Sequence, residues 1–264
     1  MPKFISNGIE LSYIDEGQGL PFIFLHGLGG DIQQILSSFD VSEGIRLISL
    51  DMQGHGKSQA DWGDYNFNSL ANDVISLMDF LKLNKAAIGG ISMGAAVSIN
   101  IAVRFPEKIQ KLLLVRPAWI NKPMDEDKIR LFSIEADYLK NNDMQGFINT
   151  KEYKNIKAKS EYTANSFSKG FSNPASLKNY NKFAILPGLC PFSSTEQLKR
   201  IDAETLILAC RNDWIHPYEY AEFYKKHIKN SVLRELPSKD ADEKTHMALL
   251  KKYIKEFLTD GEGL

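Results

Sequence analysis

Cysteine is scarce in this sequence, because Cys190 and Cys210 are the only two among 264 residues. Two cysteines are too few for a disulfide framework, so the composition favours a reducing compartment. The first residues, MPKFISNGIELSY, lack the apolar core of a signal peptide. No apolar run approaches the roughly 20 residues that a membrane-spanning helix needs. We therefore expect a soluble, cytoplasmic protein that has no membrane partner.

An excess of charge of one sign is lacking as well. The formal net charge is -1, and the lysines are spread along the chain instead of forming a basic block. This distribution argues against a nucleic-acid partner. No group of histidine, cysteine and carboxylate residues has the spacing of metal ligands, so we expect neither a metal nor another cofactor. With 43% hydrophobic residues, the chain can bury a sizeable core.

Apolar runs that are typical of buried strands alternate with helical patterns along most of the chain. A hairpin is expected at 4–15, and the predicted strands are 21–26, 45–51, 86–90, 111–115, 205–210 and 232–236. Helices are expected between them and at the end, including 67–83, 218–228 and 247–258. This order predicts an α/β fold with a mostly parallel, doubly wound sheet of about eight strands.

The alternation is interrupted between residues 118 and 200, where Lys, Asn, Ser and aromatic residues are more frequent. Helical patterns occur there at 125–139, 144–157 and 173–186. The segment is too long for a loop of a compact domain. We predict that residues 1–117 and 201–264 form the core. Residues 118–200 are predicted to form a helical cap over the carboxyl ends of the strands, where ligands bind in such sheets.

The sequence Gly90-Ile91-Ser92-Met93-Gly94 lies between a predicted strand and a predicted helix. In the pattern G-x-S-x-G, a tight turn exposes the serine hydroxyl above the sheet, and the glycines leave room for neighbouring backbone. A serine hydroxyl becomes a good nucleophile only beside a base, usually a histidine that a carboxylate orients. We predict that Ser92 is a nucleophile, and the alternative is a structural serine in a strand–helix turn.

The acid and the histidine are expected downstream of Ser92, in the order that accompanies such a turn. Asp213 follows the strand 205–210, and His246 lies between the strand 232–236 and the last helix, so both should reach the edge that carries Ser92. We predict that His246 is the base and that Asp213 orients it, although Asp213 could instead cap a helix. Less favourably placed candidates are Asp125, Asp240, Asp242, His216 and His227.

Glycines in His26-Gly27-Leu28-Gly29-Gly30 predict the site of oxyanion binding. A tetrahedral acyl intermediate needs two N–H donors, and we assign these to Leu28 and to Met93, the residue after the nucleophile. Arg116, Trp119 and Trp214 are candidate substrate contacts. Arg116 could bind a substrate carboxylate, although a salt bridge within the protein explains it more simply. Gly56-Lys57-Ser58 does not complete a phosphate loop, because Asp51 occupies the position of the required glycine.

Taken in order, these motifs resemble those of the α/β-hydrolase fold family. The matching stretches are HGLGG at 26–30, DMQGHGKS at 51–58, GISMG at 90–94, RNDWIHP at 211–217 and THMALLKKYIKEFL at 245–258. The resemblance implies a serine hydrolase with Ser92, Asp213 and His246 as its triad and Leu28 and Met93 as its oxyanion donors. It also implies that the segment 118–200 is the family's cap, or lid.

The turn at Ser92 is similar, more loosely, to those of small esterases and enol-lactonases. The resemblance therefore implies a small-molecule ester or lactone as substrate and an acyl-enzyme intermediate. A carbon–carbon hydrolase or lyase with the same triad is one alternative, and a non-catalytic ligand-binding member of the fold is another. The sequence leaves the physiological substrate and the oligomeric state open.

Overall fold

In the computed structural model, which describes residues 1–259, eight strands form one sheet. They are β1 (Lys3–Ser6), β2 (Ile9–Gly17), β3 (Leu20–Leu25), β4 (Ile45–Leu50), β5 (Ala86–Ile91), β6 (Ile109–Val115), β7 (Glu204–Cys210) and β8 (Ser231–Leu236). Their spatial order is β1-β2-β4-β3-β5-β6-β7-β8. The pairs β1–β2 and β2–β4 are antiparallel, and all later pairs are parallel. The predicted α/β fold with a mostly parallel sheet is confirmed.

Helices cover both faces of the sheet, which explains why the central strands are continuous apolar runs. The first three are α1 (Ile32–Ser38), α2 (Phe67–Phe80) and α3 (Met93–Arg104). Successive side chains of β3 alternate between two buried apolar clusters. Phe22 and Phe24 belong to one cluster, whereas Ile23 and Leu25 belong to the other, which includes residues of α2 and α3.

Seven α-helices lie between β6 and β7. They are α4 (Glu126–Lys140), α5 (Met144–Asn149), α6 (Lys151–Lys159), α7 (Glu161–Lys169), α8 (Pro174–Lys178), α9 (Asn181–Ile185) and α10 (Thr195–Leu198). Aromatic rings pack them together, and Phe147 contacts both Phe167 and Phe171, at centroid distances of 6.4 and 5.3 Å. Helix α7 was not predicted from the sequence. It begins at Ser160, whose hydroxyl accepts a hydrogen bond from the Thr163 N–H.

The last two helices are α11 (Tyr218–His227) and α12 (Lys239–Thr259). The expectation that the last helix begins at 247, after His246, is wrong, because α12 already contains His246. Asp242 interrupts α12 with extended backbone angles, φ -157° and ψ 89°. Its carboxylate accepts hydrogen bonds from the N–H and the hydroxyl of Thr245, at 2.9 and 2.5 Å. Asp242 therefore caps a second helical segment, and His246 lies in its first turn.

No helix within residues 1–259 combines the length and the apolar character that a membrane crossing requires. Residues 239–259 form the longest helix described, and this helix carries charged residues along its length.

Candidate active site

Ser92 occupies a strained turn between β5 and α3. Its φ is 56° and its ψ is -108°, a conformation that few residues other than glycine adopt. Backbone packs tightly against the flanking glycines. A Cβ added to Gly90 would lie 2.1 Å from the carbonyl carbon of Gly94, and one added to Gly94 would lie 2.3 Å from the carbonyl oxygen of Leu25. The Ser92 N–H donates to the Val115 carbonyl at 2.9 Å, which ties the turn to β6.

The glycine-rich loop at residues 27–30 packs against this turn. A Cβ added to Gly27 would lie 3.5 Å from the Cβ of Ser92. Three N–H groups of the loop have acceptors, which are Gln34 Oε1 for Gly27, His55 Nε2 for Gly29 and the Gly27 carbonyl for Gly30. The Leu28 N–H has no acceptor within residues 1–259. Met93 opens α3, so its N–H has no partner in the helix. The N–H groups of both predicted donors, Leu28 and Met93, are therefore without an acceptor within residues 1–259.

Two buried histidines hold the loop in place. His55 Nδ1 lies 2.9 Å from the Gln53 carbonyl, and its Nε2 accepts the Gly29 N–H at 3.2 Å. His26 Nδ1 lies 2.8 Å from the Gly27 carbonyl, and its Nε2 accepts a backbone N–H at 3.0 Å. Since a carbonyl can only accept, both rings carry their proton on Nδ1. Burial lowers the pKa of both histidines, which keeps the rings neutral. Sequence reasoning did not assign this function to His55.

His246 has the tautomer that a general base requires. Its Nδ1 lies 2.8 Å from the Pro237 carbonyl and 3.6 Å from Cys210 Sγ. The carbonyl can only accept, so the proton is on Nδ1 and Nε2 keeps its lone pair. Burial lowers the pKa of His246 to about 4, and the charge of Arg116 contributes in the same direction. The hydrogen bond to Pro237 and the charge of Asp213 oppose this shift.

The carboxylate of Asp213 has partners that the sequence did not predict. One oxygen pairs with Arg116, at 2.7 Å from Nε and 2.6 Å from Nη2. The other lies 2.9 Å from His216 Nδ1 and accepts the His216 N–H at 3.2 Å. Within residues 1–259, no hydrogen bond joins Asp213 to His246. Burial raises the pKa of Asp213, but His216 and Arg116 together hold that pKa well below its usual range.

His216, one of the less favourably placed candidates in the sequence, lines a cavity together with Ser92 and His246. Its Nδ1–H is donated to Asp213, and its buried Nε2 has no partner in the described part of the chain. Burial lowers the pKa of His216, so the ring is neutral near pH 7. The spacing of Asp213 and His216, three residues apart after a strand, was the available signal for this pair.

A cavity of about 640 Å³ lies between the sheet edge and the helices that connect β6 to β7. Its wall includes Leu28, Ser92, Arg116, Trp119, His216 and His246 on one side and Phe132, Glu135, Phe167 and Phe183 from these helices on the other. Three buried side-chain atoms of this wall lack partners within residues 1–259, namely Trp119 Nε1, Glu135 Oε2 and His216 Nε2. Burial raises the pKa of Glu135 well above its ordinary value, and the charge of Lys182 opposes this shift.

Of the three residues predicted to contact substrate, two lie in the cavity wall and one does not. Trp119 and Arg116 line the cavity, but the guanidinium of Arg116 is engaged by Asp213. Trp214 is outside the cavity wall, and its ring packs under the ammonium groups of Lys128 and Lys159 at 5.0 and 5.4 Å. Within residues 1–259, no cluster of three or more His, Cys, Asp or Glu side chains is arranged to hold a metal ion.

Known proteins resemble this chain in sequence and in fold. A family model described as alpha/beta hydrolase fold matches residues 21–242. The AB hydrolase superfamily protein YisY of Bacillus subtilis is 30% identical over 243 residues, which are 85% of this chain and 86% of that protein. A 2-hydroxy-6-oxo-6-phenylhexa-2,4-dienoate hydrolase of Burkholderia cepacia is 28% identical over 247 residues, 89% of this chain and 85% of that protein. The structure of the enol-lactonase from Burkholderia xenovorans LB400 matches with a TM-score of 0.76 and 22% identity, over 98% of this chain and 100% of that one.

Proposed function

This chain belongs to the alpha/beta hydrolase fold family, and from that premise we propose that it is a serine hydrolase. Its substrate is a small-molecule carboxylic ester or lactone, which it cleaves through an acyl-enzyme. The observation that carries the proposal is the strained backbone of Ser92, with φ 56°, in the wall of a cavity that His246 shares. Such strain persists where function requires it, and here it presents a nucleophile.

In the proposed mechanism, His246 Nε2 takes the Ser92 proton as the hydroxyl oxygen attacks the substrate carbonyl. The N–H groups of Leu28 and Met93 bind the oxygen that becomes negative. The imidazolium then protonates the leaving alcohol, and water repeats the cycle on the acyl-enzyme to release the acid. The Pro237 carbonyl, 2.8 Å from Nδ1, keeps the ring in the reactive tautomer throughout.

Asp213 remains the acid of the proposed triad, but it acts on His246 through its charge. The negative charge of Asp213 raises the pKa of His246 and so stabilises the imidazolium that forms during attack. The tautomer of His246, in contrast, is fixed by Pro237. Arg116 and His216 keep Asp213 ionised in its buried position, where its side chain is only 6% exposed.

The proposed substrate binds without an ion pair to Arg116. Both Nε and Nη2 of Arg116 contact one oxygen of Asp213, so a substrate carboxylate would have to displace a buried carboxylate. Trp119 Nε1 offers a neutral hydrogen-bond donor in the cavity wall. The pair with Asp213 favours the simpler sequence-based interpretation of Arg116, a salt bridge within the protein.

A side-by-side substrate panel tests the proposal. The panel contains p-nitrophenyl acyl esters, unsubstituted lactones and 1,5-diketones that carry an enolisable carbon chain. Turnover of esters or lactones is expected, and the Ser92→Ala variant measured beside the wild type corrects for spontaneous hydrolysis. Diketone cleavage without ester or lactone cleavage would instead establish a carbon–carbon hydrolase. That second candidate is favoured by the similarity to the dienoate hydrolase of Burkholderia cepacia. No turnover of any class would support a ligand-binding member of the fold.

The pH dependence of kcat/KM should show the lowered pKa of the base. His246 must be neutral to accept the Ser92 proton, and burial lowers its pKa to about 4. Activity is therefore expected to persist below pH 6 and to fall to half its maximum near pH 4, well below the value of about 6.5 for an unperturbed histidine. The measurement is kcat/KM for a neutral ester across this acidic range. Re-assay at pH 7 after each incubation controls for acid unfolding, and a midpoint near 6.5 would contradict the prediction.

Removal of Arg116 should destabilise the fold through Asp213. The Arg116→Ala variant leaves the buried carboxylate without its cationic partner, which is expected to cost about 3–5 kcal/mol of unfolding free energy. Urea denaturation measures this loss. The matched control is Arg211→Ala, because Arg211 and its partner Glu235 are 60% and 47% exposed, and such pairs contribute about 1 kcal/mol or less. Equal losses in the two variants would contradict a structural role for the Arg116 pair.

A further inference from the structure

Helix α9 of the cap contacts two loops of the core through the adjacent residues Lys182 and Phe183. One is the glycine-rich loop at 27–30, and the other contains Gly54. The ring of Phe183 lies 3.2 Å from the position that a Cβ on Gly29 would take. The ammonium group of Lys182 donates to the carbonyl of Gly54, at 2.8 Å. Lys182 is only 1% exposed, so this hydrogen bond is made inside the protein, away from water.

The Gly54 carbonyl belongs to the segment that supports the oxyanion loop. His55, the next residue, accepts the Gly29 N–H on Nε2 at 3.2 Å. Gly29 follows Leu28, whose N–H is one of the two proposed oxyanion donors. Hydrogen bonds and two peptide links thus connect Lys182 of the cap to Leu28 of the core. A shift of the Gly54–His55 segment would be passed to the Leu28 N–H through these connections.

In its charged form, Lys182 also favours the state of His55 that this connection needs. A protonated His55 would carry a hydrogen on Nε2 and could no longer accept from Gly29. Burial is the largest cause that lowers the pKa of His55, and the charge of Lys182 is the next. Burial also lowers the pKa of Lys182, to about 7, so its amine is partly charged at neutral pH and can donate to Gly54 in either state.

We propose that Lys182 is a positioning residue for the oxyanion hole, which transmits the packed position of the cap to the Leu28 N–H through Gly54 and His55. The inference rests on the proposed function, since the loop holds an oxyanion only in a hydrolase of this mechanism. Lys182 is not among the residues of the cavity wall within the described chain, so it acts on the reaction without touching substrate. The cap would thus contribute to the rate of the chemical step as well as to the choice of substrate.

The Lys182→Met variant tests the proposal, because methionine fills a similar volume without the donor or the charge. We expect kcat for a p-nitrophenyl ester to fall about tenfold or more, with KM changed less than about twofold, since a misplaced oxyanion donor weakens the transition state more than the ground state. The inhibition constant of an alkylboronic acid, which forms a tetrahedral adduct on a serine, should rise by the same factor. Lys178→Met is the matched control, because Lys178 is an exposed lysine of the same cap.

Other outcomes would overturn the proposal. A higher KM with unchanged kcat and unchanged boronate affinity would mean that Lys182 only holds the cap in place. Unchanged kinetics would mean that the connection carries no effect. If Lys182→Met does not fold, Lys182→Gln is measured in the same assays. The shorter, uncharged glutamine side chain does not reach the Gly54 carbonyl, so the same fall in kcat with little change in KM is expected. A wild-type protein that neither hydrolyses esters nor binds the boronate would instead contradict the proposed function itself.

Discussion

Replacement of Ser92 by alanine is expected to lower kcat for ester hydrolysis at least about 10⁴-fold, because the hydroxyl is the proposed attacking group. The loss should appear in kcat more than in KM, since the cavity wall that binds the substrate is otherwise unchanged. Steady-state kinetics on the best ester or lactone of the panel measure both parameters. The strained backbone of the turn is a property of its surroundings, and alanine can occupy it at no greater cost than serine.

Ser98→Ala is the matched control for this experiment. Ser98 is buried in α3 two turns from the nucleophile, and its hydroxyl donates to the Gly94 carbonyl at 2.8 Å. The same chemical change there removes a hydrogen bond within a helix and leaves the proposed reacting groups in place. Substantial activity of Ser92→Ala, measured on protein purified separately from the wild type, would mean that another group performs the attack.

The second large effect is expected on stability. In Gly94→Ala the new Cβ would lie 2.3 Å from the carbonyl oxygen and 2.7 Å from the carbonyl carbon of Leu25. Both are backbone atoms of the central strand β3, so the turn or the strand must move. We expect a loss of about 3 kcal/mol or more in the free energy of unfolding, at the upper end of the range for overpacked sites. Chemical denaturation measures it.

Gly188 provides the control for the glycine substitution. A Cβ added there meets no heavy atom within 4 Å, and its φ is not in the left-handed region. Gly188→Ala should therefore change the unfolding free energy by no more than about 0.5 kcal/mol. If Gly94→Ala were as stable as Gly188→Ala, the close approach of β3 to the turn would not be what requires glycine at this position.

Local patterns in the sequence were sufficient to predict much of the fold and the turn that carries the proposed nucleophile. Two glycines within five residues indicate the tight turn at Ser92. The predicted hairpin has its turn at Asn7 and Gly8, both of which have positive φ. Buried parallel strands are visible as continuous apolar runs because both faces of the sheet are covered. Each of these features depends on residues that are close together along the chain.

Features that depend on distant residues could not be predicted. The carboxylate of Asp213 pairs with Arg116, which follows β6, and with His216 of its own loop. Packing of distant segments determines that these two residues, and not His246, are its partners. The position of His246 inside a helix follows from a cap by Asp242, a residue that the sequence offered only as a possible acid. Lys182 lies 128 positions from Gly54, and no periodicity connects the two residues.

The identity of the nucleophile is tested most directly by covalent labelling with a fluorophosphonate, followed by peptide mapping. The proposed site predicts one adduct per chain, on the peptide that contains Ser92, and much slower labelling of the His246→Ala variant, because that variant lacks the base that activates the hydroxyl. Absence of an adduct from the folded wild-type protein, or an adduct on a different serine, would contradict the assignment of Ser92.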